Sequence, residues 1–191
     1  MVAPADMTDL EEPSMGIILR SMDVPAIGGD TVFASMTATY AGLSESMRRY
    51  IRGLEAVHDT IFPKRRFDNL ANGQQPCRDL SAAVPIVIHP VVREHPETRQ
   101  AVLNVNPGST VYLYLRGVDD QESRPVLSVL FEQANRPERQ YRHRWVPNTV
   151  VIWDNRSVQH LAVQDYGERR HLHRVMLKGD RPVPPTSPGL D

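Results

Sequence analysis

Val150 to Arg174 reads VVIWDNRSVQHLAVQDYGERRHLHR, and the rest of the chain is organised around it. Val150, Val151, Ile152 and Trp153 are β-branched or aromatic without a break, which predicts a strand. The strand should stop at Asp154-Asn155, a turn pair. His160 follows five residues later. A second extended run closes the stretch, and strand alternation puts Arg170, Leu172 and Arg174 on one face and His171 and His173 on the other. A histidine leaving one strand and two arginines on the next suggest a metal ligand beside a carboxylate clamp. A guanidinium grips a carboxylate with two parallel hydrogen bonds, which a lysine cannot do. Residue type alone leaves a plainer reading open, in which His160 is a satisfied polar side chain and the arginines are surface charges.

Working outward, 191 residues with a formal charge of −1 fit one domain with a real core. The 40% hydrophobic content belongs to a globular chain and excludes a disordered one. There is no basic excess to attract nucleic acid, and no apolar run long enough to cross a membrane. The start, MVAPADMTDLEE, lacks the basic-then-apolar pattern of a secretory signal. Cys77 is the only cysteine, so an internal disulfide and a multi-cysteine zinc site are excluded and a cytoplasmic location is the expectation. The tail from Arg181 to Asp191, RPVPPTSPGLD, concentrates prolines and is expected to be a loose end beyond a domain covering residues 1–180.

Met15–Val24 reads as a strand, Pro25–Asp30 as a glycine turn, and Thr31–Phe33 as renewed extended chain. Leu43, Met47, Ile51 and Leu54 then recur at helical spacing, with Ser44 as N-cap and Arg48, Arg49 and Arg52 on the solvated side. Residues 62–76 form a polar, basic stretch expected to be a loop or lid. Ile86–Arg93, Ala101–Asn106 and Val111–Leu115 read as strands, with Pro90 suited to an edge or bulge. Asp119–Asn135 reads as an amphipathic helix with Val126, Leu127, Leu130 and Phe131 inward. Tyr141–Trp145 and Thr149–Trp153, on either side of Val146-Pro147-Asn148, are expected to pair as a hairpin. Seven or eight short strands with two helical insertions favour an antiparallel barrel or double sheet over a βαβ fold.

Five segments together resemble one family. They are DMTDLEEP from Asp6, GGDT at Gly28–Thr31, HPVVREHPET from His89, WVPNTVVIWDNRSVQH ending at His160, and RRHLHR ending at Arg174. This combination is similar to the taurine dioxygenase family of iron(II)/2-oxoglutarate-dependent oxygenases and spans nearly the whole chain. The resemblance implies a mainly β fold, a double-stranded β-helix or jelly roll with helical insertions. It implies that Fe(2+) is held by Asp6 and His160, within a two-histidine, one-carboxylate scheme that leaves positions open. It implies that 2-oxoglutarate is held at its far carboxylate by Arg170 and Thr31, with Arg174 close to the cosubstrate or to a substrate anion. Trp153 and Ser109 would line the substrate pocket. The implied activity is oxygen-dependent hydroxylation of a small substrate, such as a sulfonate, sulfate or other anion, with release of succinate and CO2. The implied partners are that substrate and molecular oxygen, and a homo-oligomer is compatible with them.

The chain departs from the family pattern in one place that bears on chemistry. The pattern has histidine two residues before its metal-binding aspartate, and this chain has Pro4 there. Its first residues also correspond to a point well inside the family's pattern, so the jelly roll is expected to be truncated at its N-terminal side. Two readings follow: an oxygenase with a weakened metal site, or a catalytically inactive fold remnant that acts by binding or has no role.

Overall fold

The computed structural model describes residues 7–58, 87–107 and 115–186. The stretch at 62–76, and most of Val111–Leu115, lie outside them. The centre is a pair of three-stranded antiparallel sheets. The first contains β1 (Gly16–Asp23), β8 (Val150–Asp154) and β10 (His171–Leu177) in the order β10-β1-β8. The second contains β2 (Thr31–Ser35), β7 (Gln140–His143) and β9 (Val158–Ala162) in the order β7-β2-β9.

Register decides which side chains enter the space between them. On β1, Ile17 lies opposite Trp153 and Met176, and Leu19 opposite Val151 and Arg174. On β2, Phe33 lies opposite His160 and Tyr141. The two faces meet at Phe33 and Trp153, whose rings pack edge to face with centroids 5.1 Å apart. With Ile17, Leu19 and Trp145 they form a buried inter-sheet cluster. Burying an aromatic of this size is worth about 1.5–3 kcal/mol. The expected jelly-roll class, mainly β with helical insertions, agrees with this arrangement of facing antiparallel sheets.

The expected hairpin is a correction. β7 pairs with β2 in the second sheet and β8 with β1 in the first, so residues 144–149 cross between sheets instead of folding back. The segment does turn, with Thr149 N–H donating to Val146 O and Asn148 at φ +63°. Ser21 captures that turn. Its N–H donates to Thr149 O, its carbonyl accepts from Asn148 N–H, and its hydroxyl donates to Val146 O at 2.6 Å. Alternation along the two strands suits a hairpin and a crossover equally; Ser21, 125 residues away from Val146, selects the crossover.

A second core is separate from the inter-sheet cluster. Here α1 (Met36–Ala41), α2 (Glu45–Ile51) and α3 (Asp120–Ala134) pack with β3 (Glu55–His58), β4 (Val87–Pro90), β5 (Val92–Glu94) and β6 (Ala101–Leu103). Side-chain caps start each helix: Ser35 accepts from Ala38 N–H, Ser44 from Met47 N–H and Asp119 from Gln121 N–H. α3 buries Leu127, Leu130 and Ala134, with Val126 and Phe131 half-buried, and it accommodates Pro125 inside its second turn. The expected strand Ile86–Arg93 is split at Val91, and the expected strand Ala101–Asn106 ends at Leu103.

Residues 181–186, expected as a loose end, run beside β5. Glu94 N–H donates to Val183 O at 2.8 Å, and the Glu94 carboxylate accepts from Thr186. No helix among the described residues is long and apolar enough to cross a membrane.

Candidate active site

The glycine turn before β2 is where the clamp residues meet. Gly28 and Gly29 have φ of +80° and +71°, in the left-handed region that glycine tolerates. Their lack of a side chain lets the loop at 163–170 approach, since a Cβ on Gly28 would lie 2.6 Å from Asp165 O. Three hydrogen bonds join the loops: Gly29 N–H to Asp165 Oδ1 at 2.7 Å, Val163 N–H to Asp30 O at 2.9 Å, and Ala26 N–H to Glu168 Oε2 at 3.1 Å. The Gly29 N–H holds the Asp165 carboxyl below its ordinary range. Arg142 bridges both sides, donating to Asp30 Oδ2 and Asp165 Oδ2.

Arg170 is fixed by this frame. It sits immediately before β10 and not within it, so loop geometry aims it instead of strand alternation. Its Nε donates to Gly29 O at 2.8 Å and its Nη2 to Thr31 Oγ1 at 3.3 Å. The Tyr166 ring lies 5.8 Å from the guanidinium carbon. Thr31 itself is 1% exposed. The family resemblance implies that Thr31 and Arg170 share one carboxylate, and the structure brings the two side chains into direct contact.

His160 lies on β9 opposite Phe33, on the same face of the sheet as Thr31. Its ring is 4.9 Å from that of Trp153 and 6.3 Å from that of Phe33. The pairing of β2 with β9 thus sets a histidine and the Thr31–Arg170 pair on one inner surface, with Trp153 as the facing wall. Arg174 lies opposite Leu19 on β10, which turns it to the same interior, although it is exposed at the rim. His171 and His173 share the other face, with ring centroids 5.0 Å apart, as alternation requires. Asp6 and Ser109, the remaining expected site residues, lie outside the described residues.

A second group with metal-ligand chemistry was not singled out from sequence. His95, Glu97 and Asp154 present ligand atoms within 4.8 Å of one another. Those atoms are already committed. Asp154 accepts from Arg156 Nε and Nη2 at 2.9 and 2.7 Å, and Glu97 accepts from Arg156 Nη1 at 2.9 Å. The backbone N–H of Thr98 donates to His95 Nδ1, which leaves Nε2 to carry the proton shared with Asp154 Oδ2 at 2.9 Å. Burial works to raise the Asp154 pKa, but hydrogen bonds from Arg156 and His95 overcome it and bring the value down to about 2. A guanidinium already fills the place a cation would take. The group fits a structural ion network, and His160 is the described residue that fits a metal ligand in the inter-sheet space. The donors around Arg170 and Thr31 fit a carboxylate.

Trp145 was read from sequence only as a strand residue. It is 5% exposed, and its indole N–H donates to Thr31 Oγ1 at 2.9 Å. No local signal could have revealed this, because the partners are 114 residues apart.

Residues 3–176 match the model of a family described as taurine catabolism dioxygenase TauD, TfdA family. An alpha-ketoglutarate-dependent dioxygenase of Penicillium expansum is 40% identical over 163 residues, covering 84% of this chain and 44% of its own length. An alpha-ketoglutarate-dependent sulfate ester dioxygenase of Pseudomonas putida is 36% identical over 182 residues, covering 93% of this chain and 60% of its own. The crystal structure of a taurine dioxygenase from Burkholderia xenovorans superposes with a TM-score of 0.78 at 35% identity, over 95% of this chain and 58% of that one. The chain thus spans about half the length of the curated relatives it matches.

Proposed function

We infer, since this chain belongs to the taurine catabolism dioxygenase TauD, TfdA family, that it carries the cosubstrate side of an iron(II)/2-oxoglutarate-dependent dioxygenase. The family's cofactors are iron(II) and 2-oxoglutarate. The substrate class we assign is a small organic sulfonate, sulfate ester or related anion, in keeping with the sulfate ester dioxygenase among its relatives. The oxygenase domain is assigned to residues 1–180 and the proline-rich tail to 181–191.

Iron(II) and 2-oxoglutarate would supply the oxygen chemistry, with succinate and CO2 as products. The chain's own residues do the rest. Arg170 holds the far carboxylate of 2-oxoglutarate through its fork, and Thr31 adds a hydroxyl. His160 offers an imidazole to the metal, with Asp6 as the carboxylate ligand on the strength of the family pattern. Trp153 and Phe33 wall the space with apolar surface, which keeps bulk water from the metal side. Arg174, at the rim of the same face, balances the charge of an anionic substrate or of the cosubstrate. Ser109 is assigned to the pocket by the family pattern.

The observation that carries this reading is the braced contact of Arg170 with Gly29 O and Thr31 Oγ1. Two glycines and Asp165 hold a charged side chain beside a buried hydroxyl, more construction than a solvated arginine needs. Calorimetric titration with 2-oxoglutarate tests it. The unaltered chain should bind, and Arg170→Ala should weaken binding more than tenfold, since leaving one charge of such a pair unpartnered costs about 2–5 kcal/mol. Equal affinity in the two proteins would remove the clamp from Arg170.

Pro4 favours a second reading, in which the fold binds the cosubstrate without turning it over. Asp6 and His160 would hold iron(II) less firmly than three protein ligands. Oxygen-dependent succinate formation separates the readings. Robust turnover by the unaltered chain, unchanged in Pro4→His, supports the oxygenase. Turnover that appears only in Pro4→His supports the binding fold.

A further inference from the structure

The Thr31 hydroxyl is held by two groups that can only donate. Trp145 Nε1–H donates to Oγ1 at 2.9 Å, and Arg170 Nη2–H donates to it at 3.3 Å. A hydroxyl has two lone pairs and one proton. Two donors occupy both lone pairs, so the proton is the part of the group still to be spent. Among the described residues no acceptor takes it. Thr31 is 1% exposed and Trp145 5%, so bulk water does not meet the need.

We propose that Trp145 is a positioning residue that turns Thr31 into an obligate hydrogen-bond donor toward the carboxylate held by Arg170. The proposal rests on the clamp reading given above and deepens it by stating what selects the ligand's end group. Arg170 alone would leave one lone pair of Oγ1 open, and the hydroxyl could then rotate to accept from a ligand as easily as donate to it. Trp145 removes that freedom. Its own orientation is fixed by packing: the indole belongs to the inter-sheet cluster, and the His143 ring meets it at 88° with centroids 4.8 Å apart. His143 is itself the residue opposite Thr31 across β2 and β7. The site therefore presents donors alone, from both Arg170 and Thr31. An ionised carboxylate, which only accepts, suits such a site. A terminal amide, which must also place its own N–H donors, does not.

The test is a double-mutant cycle on ligand affinity. Calorimetry would compare 2-oxoglutarate with its 5-amide on the unaltered chain, Thr31→Val, Trp145→Phe and the double variant. The expected result is tighter binding of the acid by the unaltered chain and a loss of about tenfold in Thr31→Val, the size of one hydrogen bond to a charged group. Trp145→Phe should lose several-fold and discriminate less between acid and amide. In the Thr31→Val background it should lose nothing further, because its effect passes through the hydroxyl. Equal losses from Trp145→Phe in both backgrounds would overturn the positioning role and leave the clamp standing. Failure of the unaltered chain to bind 2-oxoglutarate would overturn the clamp and this proposal together. A second readout needs no tryptophan variant. The chain has two tryptophans, so two indole N–H signals are expected by NMR, and Thr31→Val identifies that of Trp145. Saturating 2-oxoglutarate should move it, because a hydroxyl that donates to a carboxylate becomes a stronger acceptor. An unmoved signal with ligand bound counts against the proposal.

Discussion

His58 and His89 meet edge to face inside the second core, with ring centroids 4.9 Å apart and planes at 72°. They are diagonal neighbours on one face of the β3–β4 pair, since His89 lies opposite Ala56 and His58 opposite Val87. Each is 1% exposed. His89 donates from Nε2 to Leu10 O at 2.9 Å, whereas neither nitrogen of His58 has a hydrogen-bond partner among the described residues.

This pair makes stability depend on pH. Burial first, and the neighbouring His89 second, push the His58 pKa down from 6.5 to about 3. Burial lowers that of His89 as well. The folded state thus keeps His58 neutral where the unfolded chain takes up a proton. Stability is fully present above the unfolded pKa of 6.5 and is lost as pH falls toward 3, with a slope of up to about 1.4 kcal/mol per pH unit for His58 alone. Denaturant unfolding between about pH 4 and pH 7 measures the slope. His58→Leu should flatten it, and an unchanged slope would assign the acid sensitivity elsewhere.

Ser21→Ala tests the crossover between the sheets. Ser21 is 0% exposed, and its hydroxyl both donates to Val146 O and accepts from Thr149 N–H. Removing it takes one of the two acceptors from Thr149 N–H, which keeps only Val146 O at 3.1 Å, and one donor from Val146 O, at a cost of about 1 kcal/mol. The unfolding midpoint should fall with an unchanged denaturant slope. A shift within error would mean that the backbone bonds from Ser21 hold the turn unaided.

Gly29→Ala couples stability to ligand binding. The residue has φ +71°, and a Cβ there would lie 2.9 Å from Pro25 Cγ and 3.1 Å from Arg170 Cδ. Left-handed backbone costs a non-glycine residue about 1–2 kcal/mol. The contact also displaces the arginine assigned to the carboxylate. Affinity for 2-oxoglutarate should drop along with the melting temperature, whereas Gly53→Ala, whose Cβ meets nothing within 4 Å, should leave affinity intact. Normal affinity in Gly29→Ala would show that Arg170 does not depend on the turn.

The His95–Glu97–Asp154–Arg156 network predicts its own response to a chelator. With Arg156 bound to both carboxylates, prolonged chelation should leave the unfolding midpoint unchanged. Arg156→Gln should instead cost about 1–3 kcal/mol, below the figure for breaking a fully buried pair because Glu97 is exposed and Asp154 half-buried. A chelator-sensitive midpoint that returns on adding metal would make this group a metal site after all.

Much of the local structure follows from the chain's own pattern. The run Val150–Trp153, the stop at Asp154-Asn155, the cap at Ser44, and the separation of Arg174 from His171 and His173 all depend on neighbours a few residues away. Periodicity and turn chemistry report such relations directly. The five family segments carried the fold class, because their order and spacing are themselves a long-range pattern.

Partnership across the fold was another matter. Tyr141–Trp145 and Thr149–Trp153 look like a hairpin until Ser21 draws the turn between them to the other sheet. Arg170 reads as a strand residue, yet it is aimed by a glycine turn more than a hundred residues earlier. Trp145 meets Thr31 only because β7 pairs with β2. Alternation tells a side chain which face it belongs to but not which strand will lie beside it. That choice depends on the packing energy of the whole interior and on buried polar groups finding partners, and both exist only once the chain has folded.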